Sequence, residues 1–205
     1  MAKSKKKTKI KKWPIILLLL VIAGLVVYRF CQPAINKAKN HVVPKLFSYP
    51  TKYEEYVLKY SKEFDIDPRF IYAIINTESH FDPKATSDVG ARGLMQLMEE
   101  AYDWVKYRLN DERDHTYDDM YDPELNIEYG TYMLKYLYDK YDSYELAAAA
   151  YHGGMGAVDG WIEDGTINPE NFKLEDIPSD ATANYVYKVT TAYNKYKEQL
   201  KEESE

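Results

Sequence analysis

The stretch NTESHFDPKATSDVGARGLMQLM, residues 76–98, decides how the chain folds around Glu78. Apolar residues at helical spacing lead up to this glutamate, a segment rich in Pro, Gly and Ser follows it, and apolar residues then return. Ile71, Ile74 and Ile75 lie at i, i+3 and i+4, and Glu78 follows at i+7 on the same helix face. Because a carboxyl group on an apolar face is partly desolvated, we expect its pKa to be raised.

The helix dipole acts on Glu78 in the same direction. This residue falls in the last turn of the predicted helix at 67–80, where the negative end of the dipole disfavours an anion. A carboxyl group that stays protonated near neutral pH is suited to act as a general acid. Helix geometry alone leaves an alternative open, in which Glu78 lies at the helix boundary and points into water.

The chain around this stretch has the sequence pattern of helices. Asp67 and Asp122, each followed by proline, predict helix N-caps, whereas Asp142 with Glu145 predicts a capping box. Apolar and polar residues form no convincing alternating run of the kind typical of strands. We therefore predict a mostly α-helical, single globular domain over residues 51–205.

The net charge of −6 hides an uneven distribution of charge along the chain. Residues 1–50 contain 11 Lys and Arg and no Asp or Glu, so residues 51–205 hold 16 basic and 33 acidic residues, a formal −17. Such an acidic domain repels phosphates, which argues against nucleic acid as a partner. The single cysteine, Cys31, and four scattered histidines offer no disulfide and no metal-binding pair, so we predict neither a metal nor a cofactor.

The N-terminal region predicts a membrane anchor. The uncharged run WPIILLLLVIAGLVVY at 13–28 reaches about 24 Å as a helix, and the hydrocarbon core of a bilayer is about 30 Å thick. Extended to 13–31, it is predicted to be a transmembrane signal anchor. Seven lysines in the basic tail at 1–12 predict a cytoplasmic N-terminus and an extracytoplasmic domain. Residues 32–50, with three prolines, are predicted to be a linker.

Two other interpretations of the N-terminal region were weighed against the anchor. A cleaved signal peptide is the second interpretation, but no convincing cleavage site with small residues follows the apolar run. A lipid anchor on Cys31 is disfavoured because bulky residues precede that cysteine. The lysines of the linker either contact anionic lipid headgroups or are simply solvated.

Four ordered segments of the chain resemble the soluble lytic transglycosylase family. The first is the spaced pattern from Glu78 to Gln96, Glu-Ser-x-Phe followed by Gly-Ala-x-Gly-Leu-Met-Gln. The others are DPELNIEYGTYML at 122–134, AAAAYHGGMGAV at 147–158 and IPSDATANYVYKV at 177–189. The resemblance covers about residues 55–196 and implies a lysozyme-like catalytic domain that cleaves peptidoglycan.

Three positions depart from the pattern of that family. His152 replaces the asparagine of an Ala-Tyr-Asn segment, Ala181 replaces a glutamate, and Glu99 stands where proline is frequent. None of them is the presumed acid, but they concern subsite contacts and therefore substrate preference.

The resemblance implies substrate-binding roles for five residues: Ser87, Gln96, Met98, Tyr151 and Tyr185. Ser87 and Gln96 are similar to the polar contacts that the family makes with N-acetyl and sugar groups. Met98 and Tyr151 are similar to its cleft walls, although core packing is nearly as good an interpretation for Met98. Tyr185 is expected to pack against the catalytic glutamate or to hydrogen-bond to it.

The resemblance also implies how a single carboxylate cleaves the glycan. Glycosidases of the usual kinds use two carboxylates, whereas Glu78 has no obvious partner and Asp82 and Asp88 are expected to be solvated. In the implied reaction, Glu78 protonates the glycosidic oxygen between N-acetylmuramic acid and N-acetylglucosamine. The C6 hydroxyl of the muramoyl sugar then closes on C1 as a tethered nucleophile, which gives a 1,6-anhydro ring.

Two alternatives to a membrane-anchored lytic transglycosylase stay open at the level of sequence. A goose-type-lysozyme-like muramidase would use the same fold with water as the acceptor. A catalytically silent scaffold would bind peptidoglycan without turnover. The predicted partners are peptidoglycan glycan strands, the bacterial membrane through the N-terminal helix, and proteins of an envelope machine.

Overall fold

The computed structural model describes residues 25, 27–32 and 49–202 of the chain. Residues 25 and 27–32 are helical. By its contacts, Tyr49–Glu205 forms one compact unit, and every helix that builds the candidate site belongs to it.

Most of the predicted N-terminal anchor, 13–31, lies outside the described residues, the exceptions being positions 25 and 27–31. The predicted basic tail at 1–12 and most of the predicted linker at 32–50 lie outside them as well. In the part of the chain that is described, no helix is both long enough and apolar enough to cross a bilayer.

Residues 49–202 form seven α-helices and three short 3₁₀-helices. The α-helices are α1 (Glu54–Phe64), α2 (Pro68–Glu78), α3 (Glu99–Leu109), α4 (Pro123–Tyr141), α5 (Tyr144–Gly153), α6 (Met155–Glu163) and α7 (Asp180–Glu202). The 3₁₀-helices are Tyr117–Tyr121, Pro169–Asn171 and Leu174–Asp176. No strand forms within residues 49–202, where backbone bridges are isolated pairs in the loop before α3. The prediction of a mostly α-helical domain is confirmed.

The two predicted Asp-Pro helix starts are present. The Asp67 carboxylate accepts a hydrogen bond from the backbone N–H of Arg69 at 2.9 Å and begins α2. The Asp122 carboxylate accepts one from the N–H of Leu125 at 3.0 Å and begins α4. Each cap satisfies a backbone donor that the first helical turn leaves without a partner.

The predicted capping box at Asp142 is wrong. The N-cap of α5 is Ser143, whose hydroxyl accepts from the N–H of Leu146 at 3.2 Å. Asp142 instead ends α4 with φ 51°, in the left-handed region that a short polar side chain tolerates. Because α4 continues as far as Tyr141, Asp142 is needed to reverse the chain and cannot also begin the next helix.

Helix α2 lies in the middle of the core. Ile71, Ile74 and Ile75 are fully buried, and the helix packs against α1 and α7. The alanine run Ala147–Ala150 of α5 is also fully buried, so α4 and α7 approach that helix closely. Packing from several sides therefore fixes the end of α2, which is Glu78.

Candidate active site

Glu78 is the last residue of α2, and its carboxyl group is largely enclosed. Burial raises the pKa of Glu78 to about 7, because an ionised carboxylate is disfavoured away from water. The Tyr185 hydroxyl of α7 donates a hydrogen bond to Glu78 Oε1 at 2.7 Å. That bond favours the charged form and acts on the pKa in the opposite direction, but it is the weaker of the two effects. The structure supports the expectation of a raised pKa rather than a glutamate that points into water.

Among the described residues, no second carboxylate affects the pKa of Glu78. Burial and the Tyr185 hydrogen bond are the sole contributors to its pKa shift among the residues described, so no neighbouring charge perturbs it. Asp82 and Asp88 are exposed in the loop, and the Asp82 carboxylate accepts from the backbone N–H of Lys84 at 2.9 Å. The site thus contains one carboxyl group poised near neutral pH.

Two tyrosines enclose the glutamate. The Tyr151 hydroxyl at the end of α5 donates to the Met95 carbonyl at 2.7 Å, which ties α5 to the loop before α3. Burial, with a smaller contribution from the Glu78 charge, raises the pKa of both Tyr151 and Tyr185 well above 10. Both phenols therefore stay neutral, and Tyr185 stays a hydrogen-bond donor to the carboxyl group.

The loop between α2 and α3 is closed by its own side chains. The Ser87 hydroxyl accepts from the N–H of Ala91 at 2.9 Å. Gln96 adopts φ 49°, and its Nε2 donates to the carbonyls of Ala85 at 3.1 Å and Gly93 at 2.9 Å. Both predicted sugar-contacting residues lie in this loop, and the contacts described for them hold it in shape.

The Asn126 side chain of α4 hydrogen-bonds to the backbone of the loop between α2 and α3. Its Oδ1 accepts from the N–H of Met95 at 2.8 Å, and its Nδ2 donates to the carbonyls of Arg92 at 3.0 Å and Met120 at 2.8 Å. A side chain at Gly130, one turn further on, would collide with Met95. The buried amide thus ties the backbone of the loop to α4, and the glycine leaves room there for the Met95 side chain.

A cleft of about 450 Å³ opens beside Tyr151, one of the two enclosing tyrosines, whereas Glu78, Ser87 and Tyr185 do not line it. Gln96, Met98 and Tyr151 line it, and its surface is mostly apolar. Neither Trp104 of α3 nor Tyr136 of α4 was foreseen, yet both line it. No motif in the sequence marks these aromatic residues, because two separate helices bring them together.

His152 lies between the cleft and the tyrosine that contacts Glu78. Its ring stacks on the Tyr185 ring, with centroids 4.6 Å apart, and its Nδ1 lies 3.2 Å from the Thr182 hydroxyl. Burial lowers the pKa of His152, which favours the neutral ring. The residue that departs from the family pattern is thus in direct contact with the partner of the presumed acid.

Fold and site together define a class of protein: residues 49–202 form a helical domain in which a half-buried, protonatable glutamate is held between two tyrosines, one of which lines an aromatic cleft. The model of the transglycosylase SLT domain matches residues 55–171, more than half of the chain. The chain therefore belongs to the transglycosylase SLT domain family, as the sequence resemblance predicted.

Curated relatives have the same family name. The chain is 36% identical over 153 residues to the soluble lytic murein transglycosylase of Salmonella typhimurium, which covers 72% of this chain and 23% of the relative. It is 28% identical over 186 residues to membrane-bound lytic murein transglycosylase C of Klebsiella pneumoniae, covering 80% of this chain and 50% of that one. The chain thus spans about a quarter to a half of the length of these relatives.

Solved structures confirm the family fold. The 70-kDa soluble lytic transglycosylase of Escherichia coli has a TM-score of 0.68 at 28% identity, covering 74% of this chain and 25% of that chain. An inactive glutamate-to-glutamine mutant of lytic transglycosylase Slt from Pseudomonas aeruginosa has a TM-score of 0.66 at 27% identity, covering 75% and 25%.

Proposed function

We propose that this protein is a peptidoglycan lytic transglycosylase in which Glu78 is the single acid and base. The observation that carries the proposal is a half-buried glutamate with a pKa of about 7, hydrogen-bonded to one tyrosine and without a second carboxylate among the described residues that perturbs it. Family membership supports the same activity, because its relatives are named lytic transglycosylases. The inactive relative with glutamine in place of a glutamate supports a catalytic glutamate in the family.

In the proposed first step, protonated Glu78 donates its proton to the glycosidic oxygen between N-acetylmuramic acid and N-acetylglucosamine. The bond from C1 to that oxygen breaks, and N-acetylglucosamine leaves with a free hydroxyl. The N-acetyl carbonyl of the muramoyl sugar stabilises the positive charge at C1. A carboxyl group with a pKa near 7 is protonated in a substantial fraction of molecules at neutral pH and still transfers its proton readily.

In the second step, the Glu78 carboxylate takes the proton of the C6 hydroxyl on the same muramoyl sugar. Oxygen O6 then bonds to C1 and forms the 1,6-anhydro ring, so that Glu78 ends the cycle protonated and no water is consumed. A hydroxyl tethered to the reacting sugar has a high effective concentration, which replaces the second carboxylate of ordinary glycosidases.

The neighbouring residues have proposed roles that follow from their positions. Tyr185 fixes the orientation of the Glu78 carboxyl group through its 2.7 Å hydrogen bond. Met98 and Tyr151 form walls of the sugar cleft. Ser87 and Gln96 shape the loop that faces the substrate and contact its N-acetyl and sugar groups.

We place the catalytic domain outside the cytoplasm, held to the membrane by the predicted anchor at 13–31. The apolar length and the lysines on its N-terminal side support this placement. A relative named as membrane-bound supports an association with membranes in the family. Partners in an envelope machine would bring the enzyme to its place of action.

The experiment is mass spectrometry of the muropeptides that the detergent-solubilised full chain releases from purified sacculi. We expect products lighter by one water than reducing-end muropeptides and resistant to borohydride, as the anhydro ring requires. Reducing ends would instead identify a muramidase that uses water, and no release by the folded protein would favour a binding role.

A further inference from the structure

His152 lies in the last turn of α5, where it lines the cleft and contacts α7. Thr182 and Tyr185 are three residues apart on α7, so their side chains lie on the same face of that helix. The His152 ring contacts both of them. Its Nδ1 is 3.2 Å from the Thr182 hydroxyl, and its plane lies at 27° to the Tyr185 ring with the centroids 4.6 Å apart. One side chain of α5 thus touches the tyrosine that donates a hydrogen bond to Glu78.

The two stacked rings differ in their exposure to solvent. His152 is exposed and lines the cleft, whereas Tyr185 is 7% exposed. Aromatic rings in contact prefer a small set of relative orientations. A second contact, between Nδ1 and the Thr182 hydroxyl, fixes the plane of the His152 ring. The stack therefore restrains the orientation of the Tyr185 ring from the side of α5.

His152 has no direct electrostatic effect on Glu78. Among the described residues, the Glu78 charge does not contribute to the pKa of His152, and the His152 ring does not contribute to the pKa of Glu78. The link between them passes through Tyr185, whose hydroxyl donates to Glu78 Oε1 at 2.7 Å. Because a hydrogen bond weakens steeply as its donor turns out of line, the orientation of Tyr185 sets how strongly it stabilises the Glu78 carboxylate.

We propose that His152 is a positioning residue: its ring, stacked on Tyr185, holds the Tyr185 hydroxyl on the carboxyl group of Glu78. The inference rests on the proposed function, since Glu78 is a catalytic acid only if the protein cleaves glycan. The family pattern has asparagine at this position, and an asparagine has no ring to stack on the tyrosine. His152 is therefore a restraint on the acid that the family pattern does not provide.

The test measures the pKa of Glu78 directly and without glycan. Carbon-13 NMR follows the side-chain carboxyl groups of labelled glutamates in the detergent-solubilised full chain, and the signal that Glu78→Gln removes belongs to Glu78. We expect His152→Ala to raise this pKa by about half a unit, because a misaligned Tyr185 hydroxyl stabilises the carboxylate less. His152→Phe keeps a ring for the stack and should retain the wild-type pKa. His152→Asn keeps a polar partner for Thr182 but has no ring, so it should behave like His152→Ala.

Two controls separate positioning from a general disturbance of the site. Met155→Ala changes another residue that lines the same cleft, and it should leave the pKa of Glu78 unchanged. In a protein with Tyr185→Phe the hydroxyl is absent, so adding His152→Ala should cause no further shift. Such non-additivity is expected when one residue acts through the other.

The proposal would be overturned by an unchanged or lowered pKa of Glu78 in His152→Ala. A lowered pKa would mean that the ring only keeps water away from the carboxyl group. Equal shifts with and without the Tyr185 hydroxyl, or a His152→Phe protein that shifts as His152→Ala does, would also overturn it. Muropeptide release tests the proposed function separately. If the wild-type protein released none, that function would fail, and the NMR result would still decide whether His152 positions Tyr185.

Discussion

Two enclosed carboxyl groups of this domain, Glu78 and Asp111, have opposite protonation behaviour. The Asp111 side chain is 5% exposed. Its carboxylate accepts hydrogen bonds from the Arg113 guanidinium and from the Tyr129 hydroxyl at 2.8 Å, and His115 Nε2 lies 3.0 Å from it. Hydrogen bonds from the Arg113 guanidinium, above all, hold the pKa of Asp111 well below its usual range. Glu78 has one neutral donor, and burial raises its pKa to about 7.

The difference shows that partners decide whether the cost of enclosing a carboxylate is offset. Asp111 has a cation and several donors, so it is a permanent anion that joins the end of α3 to α4. Glu78 has no such partners among the described residues, so nothing offsets the desolvation of its ionised carboxylate. Its proton therefore stays available near neutral pH. The same residue chemistry thus stabilises one part of the domain and provides reactivity in another.

The largest expected effect is the loss of activity in Glu78→Gln. Glutamine keeps the size of the side chain and accepts the Tyr185 hydrogen bond, but it has no proton to transfer. We expect the release of muropeptides to fall by about 10³-fold or more, since general acid–base catalysis contributes about 10²–10⁴-fold. Measurement of soluble products from purified sacculi gives the rate.

The matched control for that variant is Asp88→Asn, because Asp88 is an exposed carboxylate in the loop that follows α2. It should retain the wild-type rate. A Glu78→Gln protein as active as the Asp88→Asn protein would refute the role of Glu78 as acid and base.

The next effect concerns stability and the other member of the pair. Asp111→Asn removes the anion that Arg113 and Tyr129 contact, and we expect the free energy of unfolding to fall by about 2–3 kcal/mol. The loss is not larger because Arg113 is half exposed, so water partly replaces the lost contact. Urea unfolding followed by circular dichroism measures it. Asp114→Asn, at an exposed position of the same loop, is the control and should change little. Equal stability of the two variants would mean that the Asp111 contacts add nothing to the fold.

Glu78→Gln has the opposite effect on stability. The pKa of Glu78 is raised from 4.5 to about 7 by folding, so its contribution to stability is complete below about pH 4.5 and is lost as the pH rises through 7. We therefore expect Glu78→Gln to unfold at the same urea concentration as wild type near pH 4. Near pH 8 it should be more stable by about 1–3 kcal/mol. If the variant and the wild type differed in stability by the same amount at both pH values, folding would not raise the pKa of Glu78.

Sequence patterns predicted the features of Glu78 and the helix caps that depend on neighbouring residues, and missed those of Asp111 that depend on contacts between helices. The placement of Glu78 follows from helical spacing within a single segment, and the Asp67 and Asp122 caps depend only on adjacent residues. The cap at Asp142 was predicted wrongly because its role depends on where the preceding helix ends. Nothing in the acidic run around Asp111 distinguishes this residue from exposed Asp114, since its partner Tyr129 comes from a different helix.

The candidate site divides in the same way. The contact between Tyr185 and Glu78, separated by 107 residues, was expected only from a family resemblance and is present at 2.7 Å. Trp104 and Tyr136 were not predicted because their approach across the cleft depends on the packing of α3 on α4. Residues whose roles depend on one helix are therefore accessible from sequence, whereas walls built by two helices require the packed structure.

The smallest expected effect is a shift of the pH profile in Tyr185→Phe. The Tyr185 hydroxyl donates to Glu78 and lowers its pKa, so removal of that hydroxyl should raise the pKa above 7. Because Glu78 acts first as an acid, the alkaline limb of the rate profile should move to higher pH, by about one unit or less. Tyr187→Phe removes a hydroxyl from the opposite side of the same helix and should leave the limb in place. A limb that stays fixed, or moves to lower pH, in Tyr185→Phe would mean that this tyrosine does not tune the acid, and that burial alone sets the pKa of Glu78.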